Sequence, residues 1–169
     1  TLLWELLLTY CRAICNGGTF GGKSARALYR NSMLYCVPLV NPDGADLVAG
    51  EIPEASPEYV QAAAIAAVFP QIPFPDGWKA NLRGVDLNLN YPASWELAKE
   101  IKGSLGFDRA APRDFPGNQP LDQRETAALA AYTACIRPDI LLAYHTQGCV
   151  IYPGGRDLDP PGAEALAEQ

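Results

Sequence analysis

Side chains that could bind or polarise a substrate are concentrated in three segments of the chain. The first, residues 78–90, carries two cations, Lys79 and Arg83, and several carboxamides. Either cation could bind a carboxylate or stabilise an oxyanion, and Asn88 could hydrogen-bond a polar end of a substrate. The same pattern is also typical of a solvated loop whose aspartate and asparagine side chains cap backbone groups, so spacing leaves both interpretations open.

The other two segments each hold one residue with two alternative roles. Arg113 lies in the loop of residues 111–117 and is either a surface cation or a clamp for an anionic ligand. His145, the single histidine of the chain, follows the apolar run 139–144, where a strand is expected to end. Because a catalytic zinc ion normally takes three protein ligands, His145 is either a hydrogen-bonded structural residue or one member of a site that lies mostly outside this sequence.

Alternating strands and helices are expected to position these segments. The nearly continuous apolar run 33–40 predicts a strand covered on both faces, with Pro38 at an edge or bulge near its end. Further strands are predicted to end at His145 and to cover residues 149–152. The alternation indicates an α/β fold with a mixed sheet between helices, and such sheets carry their sites at strand ends.

Helices are predicted from apolar periodicity and from capping residues. Ser56 as N-cap and Pro57 at the first helical position start a helix that reaches about Val68. Apolar residues on most sides of the helix 2–14 indicate that it is buried between layers. The residues 41–44, Asn-Pro-Asp-Gly, predict a turn, and the Pro- and Gly-rich residues 69–77 predict a loop. The other helices are expected over residues 24–30, 94–105 and 122–136.

Composition favours a single globular domain and argues against two classes of partner. With 49% hydrophobic and 19% charged residues, the chain has enough apolar surface for a substantial core. A net charge of −6 without a visible basic patch argues against nucleic acid, whose binding needs clustered lysine and arginine. The apolar run at the N-terminus is too short to span a bilayer, so we expect no transmembrane segment in this chain.

The cysteines are expected to be buried free thiols. They lack the paired C-x-x-C spacing of zinc ribbons, and free cysteine is among the most buried residue types. The five cysteines are Cys11, Cys15, Cys36, Cys135 and Cys149.

Several separated blocks of the sequence resemble the M14 zinc carboxypeptidase family. In order, they are Val40-Asn-Pro-Asp-Gly44, Trp78-Lys-Ala-Asn, Gly84-Val-Asp-Leu-Asn88, His145-Thr-Gln-Gly148 and Val150-Ile-Tyr152. The details Asp46-Leu-Val, Leu87-Asn-Leu and Ala111-Pro-Arg-Asp are most similar to the bacterial γ-D-glutamyl-meso-diaminopimelate peptidase branch. The likeness covers nearly the whole chain and implies a mostly parallel, twisted sheet with helices on both faces.

The resemblance implies a zinc site of which this chain holds one ligand. In that family a histidine and a glutamate of an early H-x-x-E motif and a later histidine at a strand end hold zinc, and His145 matches the later histidine. The early motif is expected before Thr1 and the general-base glutamate beyond Gln169. Residues 1–169 would then be a partial catalytic domain, incomplete at both ends. The absence of an initiator methionine and a first helix that reads as already under way agree with this expectation.

The resemblance also assigns substrate-binding roles to individual residues. Asn88 matches the asparagine that binds the terminal carboxylate of the substrate. Lys79 stands where many members have an arginine that polarises the scissile carbonyl, and Arg83 could take over that role.

Two departures from the family pattern bear on specificity. Leu89 stands where typical carboxypeptidases have an arginine that clamps the C-terminal carboxylate, which argues against ordinary C-terminal trimming. Arg113 is a candidate replacement for that clamp. Cys149 occupies a position where the peptidoglycan branch is expected to have glutamate.

The implied activity is metal-assisted hydrolysis of an amide bond in a peptide, and the likeness to this branch implies a peptidoglycan-derived substrate. In that mechanism zinc would lower the pKa of its bound water and polarise the carbonyl, and the glutamate would take the proton and pass it to the leaving amine. The alternative is a non-catalytic member of the same fold that binds peptides through Asn88 and its neighbours. A wall-peptide substrate favours an extracytoplasmic enzyme, whereas the free thiols fit a cytoplasmic one equally well.

Overall fold

The computed structural model describes residues 2–145. The described residues as far as Cys135 form one compact unit, and those from Ile136 to His145 belong to a second. Six helices are described, α1 to α6 in chain order, together with one short hairpin of strands β1 and β2 and a 3-10 turn at Leu87–Leu89. The helices are Leu2–Asn16, Ala25–Asn31, Pro42–Ala49, Pro57–Ala66, Trp95–Ser104 and Arg124–Ile136, and the strands are Thr19–Phe20 and Lys23–Ser24.

The predicted helices are confirmed, and their starts follow from local capping. The Ser56 hydroxyl accepts a hydrogen bond from the Tyr59 N–H at 3.2 Å, and Pro57 occupies the first helical position of α4. Ser24 caps α2 in the same way, accepting from the Ala27 N–H at 3.4 Å. Each cap satisfies an amide group that has no partner inside its own helix.

The prediction of an isolated turn at residues 41–44 is wrong, because these residues begin α3. The Asn41 side chain accepts a hydrogen bond from the Gly44 N–H at 3.1 Å, and Pro42 lies in the first turn. An asparagine cap and an asparagine turn share this hydrogen bond. The residues that follow continue as helix as far as Gly50, which ends α3 in a left-handed conformation.

The predicted mixed sheet is not found among residues 2–145, where the sheet consists of β1 paired antiparallel with β2. Residues 32–41 lie outside any helix or strand, and the run predicted to end at His145 has no regular structure. A strand is stable only when a neighbour accepts and donates its ladder of hydrogen bonds. The apolar run therefore encodes a preference for burial, while pairing depends on a second segment. The strand predicted at residues 149–152 lies outside the described residues.

The prediction of buried thiols is wrong for three cysteines. Cys11, Cys15 and Cys135 are exposed, whereas Cys36 is half-buried, and Cys149 lies outside the described residues. The prediction that α1 is buried between layers is also wrong, because none of its residues is buried. Its neighbours in the described structure are β1 and α2, which leave most of its surface in contact with solvent.

The core lies beneath the polar segment 78–90. One apolar cluster joins α3 and α4 to Trp78 and Ala80. A second cluster packs Phe69 and Val85 against Ala111 and Phe115. These clusters hold the start and the middle of the polar segment against the body of the first unit. No helix in residues 2–145 has the length and apolar character needed to cross a membrane.

Candidate functional site

The carboxylate of Asp86 connects two of the predicted site segments, residues 78–90 and 111–117. It is 1% exposed, and its Oδ2 lies 3.3 Å from Lys79 Nζ. The same oxygen accepts the Asp114 N–H at 3.1 Å, while Oδ1 accepts the Asn88 N–H at 3.3 Å. A buried carboxylate is tolerated when its oxygens have such partners. One buried anion therefore holds the Lys79 side chain, the backbone of Asn88 and the residue that follows Arg113.

Blocks that are far apart in sequence meet beside this carboxylate. The Asn41 carboxamide donates to the Ala80 carbonyl at 2.9 Å. The amides of Lys79 and Ala80 both donate to the Pro112 carbonyl, at 2.8 and 2.9 Å. Gly44 allows the close approach, since a Cβ there would lie 2.6 Å from the Ala80 carbonyl oxygen. The segments around residues 41, 79 and 112 thus form one assembly.

The loop-capping interpretation is correct for Asp86 and Asn90. Asn90 is fully buried and donates to the Pro116 carbonyl at 2.8 Å, while its own oxygen accepts the Thr126 hydroxyl at 2.6 Å. Asn88, two residues earlier, has an exposed side chain. The segment therefore separates structural carboxamides from one that can reach a ligand.

Asn81 is a buried structural residue that sequence reasoning missed. Its side-chain oxygen Oδ1 accepts the backbone amides of Arg83 and Val85, both at 3.1 Å, and closes a tight turn. Its amide group donates to Gln123 Oε1 at 3.0 Å and Glu125 Oε1 at 3.1 Å. One sequence feature could have identified this role. Asn81 lies two residues before Arg83-Gly84, and asparagine side chains hydrogen-bond the backbone two residues further on in such turns.

The predicted cations have different surroundings. The Lys79 side chain is 43% exposed although it pairs with Asp86. The Arg113 side chain forms an ion pair with the next residue, and its Nε donates to Asp114 Oδ2 at 3.1 Å. Lys102, which sequence reasoning missed, donates to the other oxygen of Asp114 at 2.6 Å. Burial by itself would raise the pKa of Asp114, but Lys102 and Arg113 hold this pKa below its ordinary value.

Arg83 lines a separate open groove of about 440 Å³. Lys79, Asn88 and Arg113 are not among the described residues that line it. The groove therefore places Arg83 in different surroundings from the other predicted ligands. We call it the Arg83 groove, and its lining residues are Arg83, Val85, Asp108, Arg109, Ala110, Phe115, Asn118, Asp122 and Gln123.

The described residues do not fit a zinc centre. His145 is exposed, lacks regular structure and belongs to the second unit. Within residues 2–145, no group of three histidine, cysteine, aspartate or glutamate side chains is placed to hold a metal. A sequence with one histidine also cannot supply a ligand set that contains two.

Comparison with known proteins identifies relatives along nearly the full chain. Residues 1–168 match the Peptidase_M14 family model, described as zinc carboxypeptidase. The chain is 38% identical to gamma-D-glutamyl-L-diamino acid endopeptidase 1 of Lysinibacillus sphaericus, over 99% of this chain and 41% of that protein. It is also 38% identical to the uncharacterized protein YqgT of Bacillus subtilis, over 100% of this chain and 43% of that protein.

A more distant relative is carboxypeptidase E of Caenorhabditis elegans, 27% identical over 92% of this chain and 29% of that protein. The chain thus spans less than half the length of each of these curated relatives. No solved structure matches the chain significantly.

Proposed function

We propose that this chain, which belongs to the M14 zinc carboxypeptidase family, forms part of a peptidase that hydrolyses γ-D-glutamyl-diamino acid bonds in cell-wall peptides. The support for this substrate class is the relative of Lysinibacillus sphaericus, a gamma-D-glutamyl-L-diamino acid endopeptidase that aligns with 99% of the chain at 38% identity. The proposal concerns the protein that contains this chain, because the curated relatives are more than twice as long.

The observation that carries the proposal is the connection of Lys79, Asn88 and Asp114 through Asp86. A site that acts on an amide needs a positive charge near the carbonyl and groups that orient the rest of the substrate. In this proposal Lys79 supplies the charge. Its ammonium pairs with a buried carboxylate, while the lysine side chain as a whole is 43% exposed. Lysine acts there as a point charge, without the planar fork of arginine.

Asn88 and Arg113 are proposed to orient the substrate. The Asn88 side chain is exposed while its backbone is tied to Asp86, so its carboxamide projects from a fixed base. Arg113 is half-buried and already shares Asp114 with Lys102, so its charge is partly neutralised. We therefore assign it a weaker role in binding a carboxylate than a free arginine would have. Leu89 beside Asn88 offers no such clamp, which favours an internal or γ-linked bond over C-terminal trimming.

His145 is proposed as one zinc ligand of the protein that contains this chain. The support is its place in the Tyr-His-Thr-Gln-Gly block and the membership of the chain in a zinc carboxypeptidase family. Since the described residues do not form a metal centre, the remaining ligands and the catalytic base would come from residues other than those described.

We also propose that residues 33–40 form part of a mixed, mostly parallel sheet in the protein that contains this chain. The support is the apolar character of this run, whose exposed large hydrophobic side chains range from 36% exposure at Val40 to 75% at Met33. Such exposure leaves a large apolar area in water, and burial in a sheet would remove it. Amide hydrogen exchange, measured on the complete gene product, tests this strand. Rapid exchange of the backbone amides of residues 33–40 would contradict a central strand.

The activity is tested with the protein as its gene encodes it, using L-Ala-γ-D-Glu-diaminopimelate and its α-linked isomer as substrates. We expect hydrolysis of the γ-linked peptide, loss of activity with a chelator, and a kcat lowered at least about tenfold by Lys79→Met. Lys23→Met, in β2, is the matched control and should retain activity. Binding without hydrolysis would instead support the peptide-binding alternative, and neither binding nor hydrolysis would contradict both.

A further inference from the structure

We propose that the Arg83 groove is a carboxylate subsite that binds the free α-carboxylate of a γ-linked glutamyl residue. This inference rests on the proposed function, which it deepens by naming the group that makes the substrate distinctive. It gives Arg83 a role in substrate recognition rather than in polarising the scissile carbonyl.

The size and lining of the groove suit part of a peptide. Its volume of about 440 Å³ lies within the range of small-ligand sites. Val85 and Phe115 are 4% and 6% exposed and belong to the second apolar cluster, so they support a groove whose surface is mainly polar. Arg83 is exposed at the same groove. An exposed arginine on a mainly polar groove fits a short substrate segment that ends in a carboxylate.

The charges around the groove leave Arg83 available. Arg109 is paired with the adjacent Asp108, with Nε 2.8 Å from Oδ1. Among the ion pairs of residues 2–145, none involves Arg83. Its guanidinium can therefore offer two parallel N–H donors to one carboxylate, the geometry that arginine favours.

Asp122 also lines the groove, but its charge is dispersed among hydrogen bonds. Burial by itself would raise the pKa of Asp122, yet hydrogen bonds hold it below its ordinary value. Four donors surround its two oxygens, and they are the side chains of Gln123 and Asn90 and the backbone amides of Asn118 and Gln119. These donors reduce the repulsion that Asp122 would exert on an incoming carboxylate.

The backbone holds Arg83 in place before any ligand arrives. The Arg83 N–H donates to Asn81 Oδ1 at 3.1 Å, and the Gly84 N–H donates to the Asn81 carbonyl at 2.9 Å. Gly84 has a φ of 75°, and a Cβ there would lie 2.9 Å from the Ala111 amide nitrogen. This pinned turn reduces the ordering cost of binding, because the base of the arginine side chain is already fixed.

The chemistry of the substrate explains why such a subsite would discriminate. When glutamate is linked through its γ-carboxyl group, its α-carboxylate remains free and charged. Amidation of that group keeps its shape and removes its negative charge. A site built on an arginine should therefore distinguish the free acid from the amide, because the charge-assisted hydrogen bonds are lost.

The test is a calorimetric or NMR titration of the present chain with two probes, L-Ala-γ-D-Glu-diaminopimelate and the same peptide with the glutamyl α-carboxylate amidated. We expect the free acid to bind at least about tenfold more tightly than the amide. Arg83→Gln should abolish this difference, and Arg83→Lys should retain part of it. Arg30→Gln, an exposed arginine at the end of α2, should leave the difference unchanged.

Three outcomes would overturn the subsite. These are equal affinities for the two probes, no binding of the free acid at millimolar concentration, or the same loss in Arg30→Gln as in Arg83→Gln. Circular dichroism of each variant shows whether the fold is retained, and the comparison of the two probes on the unaltered chain does not depend on any variant. If the gene-encoded protein fails to hydrolyse the γ-linked peptide while binding remains sensitive to amidation, the proposed function fails and the subsite stands.

Discussion

The ammonium of Lys79 lies 3.3 Å from a carboxylate oxygen of Asp86, yet the lysine side chain is 43% exposed and the aspartate side chain 2%. The pair thus connects an exposed cation of the candidate site to a buried carboxylate that holds the surrounding backbone. Because Asp86 also accepts the backbone amides of Asn88 and Asp114, a change at this carboxylate should affect the stability and geometry of the whole segment.

Asp86→Asn should destabilise the first unit by about 1–3 kcal/mol. The substitution removes the negative charge and places an amide group where Asp86 now accepts two N–H groups and faces an ammonium. Urea unfolding measures the effect. The exposed Asp76→Asn is the matched control and should change the free energy of unfolding by less than about 0.5 kcal/mol. Equal stability of the two variants would show that Asp86 is not a structural centre.

Asn90→Ala should reduce stability, whereas Asn88→Ala should weaken substrate binding and leave stability unchanged. Asn90→Ala removes a fully buried carboxamide that bonds Pro116, Gln119, Asp122 and Thr126, so we expect a loss of more than about 2 kcal/mol. Asn88→Ala should leave stability within about 0.5 kcal/mol because its side chain is exposed. Thermal unfolding and titration with the γ-linked peptide separate the roles, since Asn88→Ala should weaken binding alone. A stable Asn90→Ala variant would contradict the structural assignment.

Gly44→Ala and Gly103→Ala should differ in sign. A Cβ at Gly44 would lie 2.3 Å from the Asn41 amide nitrogen, so we expect about 1–3 kcal/mol of destabilisation. Gly103 lies in α5 with no atom within 4 Å of a Cβ, and alanine there should stabilise by up to about 1 kcal/mol. The midpoints of urea unfolding compare the two. A neutral Gly44→Ala would mean that the blocks around residues 41 and 80 do not approach so closely.

Acid should unfold the first unit partly through Asp114 and Asp122, whose pKa values are lowered in the folded state. A lowered folded pKa means that the unfolded chain takes up protons first, so this contribution is complete above the ordinary aspartate pKa near 3.8. It is lost as the pH falls through the lower folded values. Unfolding free energies measured from about pH 7 to pH 2.5 should fall less steeply for Asp114→Asn than for the unaltered chain. An unchanged slope would exclude Asp114 as a contributor.

The chain itself should bind zinc weakly and show no peptidase activity, because it contains one histidine and its described residues form no three-ligand group. Zinc calorimetry should give a binding curve without a tight equivalence point, and His145→Ala should weaken it further. Tight binding of one zinc ion per chain would contradict this expectation and would show that residues beyond those described complete a centre.

Local features were predictable from sequence because their physical causes act within a few residues. Ser56 caps α4 through an amide three positions away, and Pro57 is compatible with the first helical turn whatever surrounds it. The family was also readable from the ordered blocks, and the comparison over residues 1–168 confirms it. Lys79 and Asn88 were selected as candidates in the same way, and their substrate roles stay predictions.

Only the tertiary structure decided which polar side chains face solvent and which support them. Asn88 and Asn90 belong to one short motif, yet the second is buried by residues 116–126 and the first is exposed. The partners of Asp86 include an amide 28 positions away, and such a pairing leaves no periodic signal. The same limit applies to residues 33–40, which lie outside any strand in the described structure, and to the wrong prediction for the thiols. An apolar segment is stabilised when it is removed from water, so its composition indicates that burial is favourable. Which surface buries it is determined by the fold of the whole chain.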